Sequence, residues 1–409
     1  QKLYDMRNKY PHISFGILTG DVKDNPEADV LIMTTEILRN TLFAKKINDS
    51  KKEMNEDANE CINENKNKNK NISLQFDLDI ENELGAVVFD EVHYIGDRDR
   101  GSVWEQSILL LPNHIQLILL SATIEKPEIF AHWLESEKNK NVEESQKKVL
   151  YMTTTYTRVV PLTHYGWLTC QPSVIHAEKK TEFGLRLKEL CNKPIQLAST
   201  YGKFEDINYH KIHNLQTELY KNKIHIKRTF VLNELVKYLL HKQWLPAICF
   251  IFSRKNVEIA AKEINFSLFD SEDKTPSIIE KECEKILISK LNNYKEYTEL
   301  EEYKSLMTIL KKGIAYHHAG VLPVLREMIE LLFEKKYIKL LFATETFAVG
   351  INMPTKTVIF TSLSKYSNDG MRYLLPHEYT QMAGRAGRRG LDTVGHVIHC
   401  NNLFNMNSN

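Results

Sequence analysis

The stretch Leu84-Gly85-Ala86-Val87-Val88-Phe89-Asp90-Glu91-Val92-His93 joins an apolar run to two adjacent acids. An uninterrupted apolar run of this kind reads as a buried parallel strand, and such strands deliver the residues that follow them to the carboxyl edge, where α/β sheets bind ligands. Asp90 at that edge suits a magnesium ion bridging phosphate oxygens, and Glu91 suits the orientation or deprotonation of an attacking water. Taken alone, the acidic pair also fits a solvated turn at a strand end, because short patterns match by chance. Its company argues otherwise: Ser121-Ala122-Thr123 and then Gln381-Met382-Ala383-Gly384-Arg385-Ala386-Gly387-Arg388 follow in that order.

The arginine segment is expected to be a helix beginning near Pro376, a residue suited to a first helical turn. Tyr379, Met382, Ala383 and Ala386 then recur at i, i+3, i+4 and i+7 and form one apolar stripe. Gln381, Arg385 and Arg388 fall on another face. Guanidinium groups aimed at a transferring phosphate are worth about a thousandfold or more in rate. An arginine-rich helix end also complements the helix dipole or binds nucleic acid.

Around these motifs, apolar runs at 14–18, 30–33, 85–89 and 115–120 alternate with helical or loop segments, as a parallel sheet requires. The Asn/Lys/Glu-rich stretch around 44–75, with Asn65-Lys66-Asn67-Lys68-Asn69-Lys70, is too polar for a core and reads as a surface insertion. At 151 the pattern changes around Arg158-Val159-Val160-Pro161-Leu162, and residues 178–227 carry no assignable chemistry. A second α/β pattern opens at 228, with a helix over 230–241, a strand over 247–252, a charged helical insert over 277–310 and a strand over 337–343. Ser253 and Arg254 at the first strand end can hold a nucleic-acid phosphate, or form an ordinary surface charge cluster. Thr344 and Thr346 at the other strand end can contact ribose and phosphate or cap a helix, and Gly350 allows close approach of backbone to ligand. The expected domains are thus 1–150, a connecting region 151–227, and 228–409.

Composition is that of an ordinary globular protein, with 42% hydrophobic and 26% charged residues. A formal net charge of +1 excludes a uniformly basic coat, so any nucleic-acid path is local. No apolar run approaches the roughly twenty residues that span a bilayer, and membrane residence is not expected. The six cysteines, Cys61, Cys170, Cys191, Cys249, Cys283 and Cys400, have neither zinc-site nor disulfide-framework spacing. Reduced thiols fit a cytoplasmic or nuclear setting.

Residues 1–40, 85–135 and 244–400 together resemble the two motor domains of the Ski-type RNA helicases of superfamily two, which include the Ski and Mtr proteins of the exosome pathway. The resemblance is carried by Leu18-Thr19-Gly20-Asp21, Thr34-Thr35-Glu36-Ile37-Leu38, Phe89-Asp90-Glu91-Val92-His93-Tyr94, His317-His318-Ala319-Gly320, the run from Ala343 through Gly350, Asn352 and Pro354, and the arginine segment. It implies an α/β fold of two RecA-like parallel-sheet domains with a linker and charged insertions, using ATP and Mg2+. By the resemblance, Asp90, Glu91, His93, Gly350, Asn352, Arg385 and Arg388 meet nucleotide, with Gln381 among the catalytic residues and Asp90 the magnesium ligand. Thr19, Gly20, Thr34, Thr35, Glu36, Ser253, Arg254, Thr344 and Thr346 meet nucleic acid. Ser121, Ala122 and Thr123 couple the two events. Residues 362–375 correspond to the hairpin that related helicases use as a strand-separating wedge, where Tyr366, Met371 and Tyr373 either stack on bases or form a packed loop. Travel from 3′ to 5′ on RNA, and an exosome or adaptor partner, are implied in the same way.

One departure stands out: the family's phosphate loop, G-x-x-x-x-G-K-[ST], occurs nowhere, and the sequence opens at Gln1 with its first methionine at Met6. The expectation is a part of a longer enzyme that hydrolyses ATP poorly by itself. A non-catalytic RNA-binding scaffold and a DNA helicase of the related Hel family remain open alternatives.

Overall fold

The computed structural model describes residues 2–406 except 21, 57–79, 98–99, 122–123, 125, 141, 156, 201, 348–352 and 368–369, and only the helical backbone of 48–56. The chain divides into two compact units, Gln1–Thr154 and Thr155–Asn409.

In unit 1, β1 (Phe15–Leu18) lies between β2 (Lys23–Asp24) and β3 (Val30–Met33), parallel to β3 with Leu18 opposite Met33. A separate parallel pair joins β4 (Ala86–Phe89) to β5 (Gln116–Leu119), with Phe89 opposite Leu119. One apolar cluster, including Leu38, Leu42, Phe89, Val103, Trp104 and Ile108, links these strands to the helices Thr35–Glu56 and Gly101–Leu110. The helix Thr35–Glu56 runs straight through 44–56, where a surface insertion was expected to begin; the rest of that insertion lies outside the described residues. The apolar run before Asp90 is a parallel strand but not a buried one: Phe89 is 4% exposed and Val88 56%.

Unit 2 is built on a seven-stranded sheet. Its strands are β6 (Leu162–Leu168), β7 (Lys193–Ala198), β8 (Ala247–Phe250), β9 (Ile314–His317), β10 (Leu340–Ala343), β11 (Thr357–Phe360) and, beyond the hairpin β12 (Ser364–Ser367) and β13 (Gly370–Tyr373), β14 (Gly395–Cys400). They are ordered β7-β6-β14-β11-β8-β10-β9, and every neighbouring pair is parallel except β6 with β7. Every residue of β8, β9, β10, β11 and β14 is buried, which is why these strands read as unbroken or nearly unbroken apolar runs. The architecture is that of two RecA-like α/β domains.

Residues 151–227, expected to hold an interdomain strand, linker and insertion, supply β6 and β7 to this sheet. The reason is pairing: β6 runs along β14, with Leu162 opposite Gly395 and Trp167 opposite Cys400, and Trp167 enters the core at 0% exposure. The charged insert is likewise part of the core. Its helices Thr275–Lys290 and Glu301–Leu310 bury Ile279, Cys283, Leu287, Leu306 and Leu310 while their charges face outward.

Candidate nucleotide and nucleic-acid site

In unit 1, β4 hands the chain to Asp90 and Glu91 at its carboxyl end. Leu120 N–H donates to the Phe89 carbonyl at 2.8 Å and Val92 N–H to the Leu120 carbonyl at 2.9 Å, so the turn is stitched to β5. Glu91 is thereby held in the left-handed region at φ 57, ψ 43, an uncommon conformation for a side chain-bearing residue and one that clusters at functional sites. Its Oε2 lies 3.3 Å from Nδ1 of His93, whose side chain is 2% exposed. Ser121 Oγ stands 3.5 Å from that same nitrogen. A ring nitrogen has one hydrogen-bonding direction, so the acid and the serine compete for it. Asp90 remains half-exposed at 51% and is paired with the Lys2 ammonium. An exposed carboxylate is a hard-oxygen ligand of the kind magnesium takes, with the Lys2 ammonium as a competing cation. Ala122 and Thr123 lie outside the described residues.

The early motifs also share an edge. Because Leu18 is opposite Met33, Thr19 and Gly20 emerge from β1 beside Thr34, Thr35 and Glu36 emerging from β3. Thr19 closes a turn with Val22, accepting its N–H at Oγ1 at 3.0 Å, while the Thr34 carbonyl accepts the amides of Ile37 and Leu38 at the head of the following helix. A methyl group added at Gly20 would meet open space. The Glu36 carboxylate accepts Arg100 Nε at 3.2 Å, and Arg100 also lies over the Trp104 ring. Burial works against that carboxylate's charge, yet the Arg100 hydrogen bond leaves its pKa below the ordinary value.

In unit 2 the register places Phe250, Ala343 and His317 side by side, so the residues after β8, β10 and β9 converge. Ser253 caps the helix Arg254–Glu263, its hydroxyl accepting Asn256 N–H at 3.4 Å. Thr344 Oγ1 is 2.9 Å from Thr346 Oγ1. His318 bonds Glu258 at 3.0 Å through Nε2 and accepts Gly320 N–H at Nδ1, and His317 bonds Glu330 at 2.9 Å. Both histidines are therefore fixed by carboxylates. Among the described residues, no group of three or more metal-ligating side chains is present. Gly350 and Asn352 lie outside the described residues.

The arginine segment departs from expectation. Its helix is Pro376–Ala383 and stops before either arginine. Arg158 donates from Nη2 to the Gly384 and Ala386 carbonyls at 2.6 and 2.7 Å, and Thr355 exchanges backbone bonds with Arg385 and Gly387 at 2.7 Å each. These bonds satisfy the carbonyls a longer helix would have used, and Gly387 at φ +85 makes the turn. Met382, Ala383 and Ala386 are buried as the stripe required, while Gln381 and Arg385 are half-buried. Arg388 makes a bidentate pair with Asp392 at 2.7 and 2.8 Å, and the Asp392 side chain is 3% exposed. Asp392 follows Arg388 by four residues, a charge spacing visible in sequence; nothing local pointed to Arg158.

Behind this helix, Tyr379 OH bonds His164 Nδ1 at 2.8 Å and His399 Nε2 at 3.1 Å. Burial pushes His164 down to about 4 and His399 to about 3, so both rings are neutral near pH 7.

Residues 17–130 match the DEAD/DEAH box helicase family, and residues 273–390 match the helicase conserved C-terminal domain. The chain is 34% identical to the antiviral helicase SKI2 of Saccharomyces cerevisiae, over 97% of this chain and 30% of that protein. It is 36% identical to superkiller complex protein 2 of Homo sapiens, over 97% of this chain and 28% of that protein. The chain is 32% identical to the exosome RNA helicase MTR4 of Mus musculus, over 97% of this chain and 33% of that protein. The chain thus spans about a third of the length of these relatives.

Proposed function

We propose, from the premise that this chain belongs to the DEAD/DEAH box helicases, that the protein is an ATP-dependent RNA helicase of the Ski type, moving 3′ to 5′. The observation that carries this is the turn after β4, where a half-exposed Asp90 precedes a Glu91 held in the left-handed region and tied to the buried His93.

Asp90 would hold the magnesium brought with ATP, which would supply neutralisation of charge on the transferring phosphate. Glu91 orients the attacking water and takes its proton, with His93 fixing the carboxylate's direction. Because Ser121 competes with Glu91 for His93 Nδ1, a shift of the serine alters how firmly the base is held, a physical route for coupling hydrolysis to nucleic-acid binding. Arg385, with Gln381 earlier on the same segment, supplies a guanidinium group suited to charge developing on a phosphate. Thr19, Gly20, Thr34 and Thr35 in unit 1 and Ser253, Arg254, Thr344 and Thr346 in unit 2 hold the sugar-phosphate backbone, giving affinity with little sequence preference. RNA as substrate and an exosome as partner follow the printed name of the MTR4 relative, and a cytoplasmic or nuclear setting with an exosome or adaptor belongs to the same proposal. Among the described residues no helix is long and apolar enough to cross a membrane.

The test is made on the full-length protein: RNA-stimulated ATP hydrolysis, and unwinding of RNA and DNA duplexes bearing 3′ or 5′ overhangs. Glu91→Gln is expected to lower ATP turnover by about a hundredfold or more while nucleotide-dependent RNA binding persists. Unchanged turnover in that variant rejects Glu91 as the base. RNA binding without turnover in the wild type supports the scaffold alternative, and preferential DNA unwinding defeats the RNA assignment.

A further inference from the structure

The hairpin β12–β13 has two unlike faces. Tyr366 is paired with Met371 and Ser364 with Tyr373 across the hairpin, and Tyr366, Met371 and Tyr373 are 75%, 60% and 62% exposed. Between these pairs, and therefore on the opposite face, Lys365 stands directly across from Arg372. Two like charges facing each other across a ladder repel unless an anion bridges them. Glu378 is that anion. Its Oε1 and Oε2 accept Arg372 Nη2 and Nη1 at 2.8 Å each, Lys365 Nζ lies 2.7 Å from Oε1, and Oε2 also accepts the Leu375 N–H at 2.8 Å.

Glu378 lies on the same helix as Gln381, and that helix leads into the Arg385 turn clipped by Arg158 and Thr355. Lys365 reaches further, to 3.6 Å from Glu345, which directly follows Thr344 at the end of β10. Lys365 and Glu378 are well buried, with side chains 14% and 17% exposed. Burial opposes the charge of Glu378, but hydrogen bonds from Arg372 and Lys365 outweigh it and hold the carboxyl at about 2, so the bridge stays charged at any physiological pH.

We propose that Glu378 is a positioning residue that makes the hairpin and the arginine-bearing segment one mechanical body, so that displacement at the aromatic face is transmitted to Arg385. The proposal rests on the helicase reading for its functional meaning, since it assigns the clamp to the coupling of strand separation with ATP turnover. The clamp itself is a property of unit 2 and is tested separately.

In the full-length protein, Glu378→Gln is expected to lower duplex unwinding per ATP hydrolysed by about tenfold, with RNA-stimulated ATP turnover held within about twofold. Amide exchange over residues 364–373 should rise by about tenfold or more in the same variant. Arg372→Gln, which leaves the Leu375 bond to Glu378 in place, serves where Glu378→Gln fails to fold and is expected to give the same split. Unwinding and turnover that fall together, or hairpin exchange equal to wild type, overturn the proposal. A wild-type protein that unwinds nothing sinks the helicase reading, and amide exchange then decides the clamp alone.

Discussion

β4 in unit 1 and β8 in unit 2 are both four-residue apolar strands in parallel pairings, yet they sit in opposite environments. Every side chain of β8 is at 0% exposure, whereas β4 buries only Phe89 and leaves Val88 at 56%. Ile118 and Leu120 on and beside β5 are also exposed, at 41% and 49%. An apolar run therefore marks a strand, while burial is decided by what lies on each face. In unit 2, the helices and inserted helical hairpin cover the sheet and make the core continuous.

This contrast is open to measurement by chemical denaturation followed separately in the two units. The largest effect is expected from Phe360→Ala in β11, at 0% exposure, which should destabilise unit 2 by about 3–5 kcal/mol. A loss under about 1 kcal/mol would mean the unit 2 core is far more plastic than its packing indicates.

Acid should act next. His164, His396 and His399 are all depressed by burial, to about 4, about 4 and about 3. A depressed histidine contributes its stability in full above the ordinary value of 6.5 and loses it as pH falls toward the folded-state value. Each of these rings is expected to weaken the unit 2 transition by up to about 3 kcal/mol between pH 7 and pH 4. A flat profile over that range contradicts neutral buried rings. The smallest effect is expected from Val88→Ala, within about 0.5 kcal/mol because the side chain already faces solvent. A loss as large as that of Phe360→Ala would show that the exposed face of β4 is covered in solution.

Much of this arrangement was legible in the sequence where the determinants are local. β3 spans 30–33 as its apolar run indicated, and the acids after β4, the threonines after β10 and the serine after β8 all stand at carboxyl ends. What escaped depends on distant partners. Beyond the helix end at Ala383, Arg158, 226 residues before Gly384, takes the Gly384 and Ala386 carbonyls. Glu36 is claimed by Arg100, 64 positions along. β6 joins a sheet because its partner β14 lies at the far end of the chain. No window of neighbouring residues carries those pairings, and propensity alone gives no sign of them.

The Arg388–Asp392 pair has a consequence for how work is divided between the two arginines. If Arg388 swung outward to a phosphate, it would strand an almost water-inaccessible carboxylate, a penalty of about 3–5 kcal/mol. Such an anchor favours staying put, so Arg388 serves as the keel of the turn and keeps its curvature constant. Under the proposed helicase reading, reaching for the triphosphate would then fall to Arg385, just upstream of that anchor.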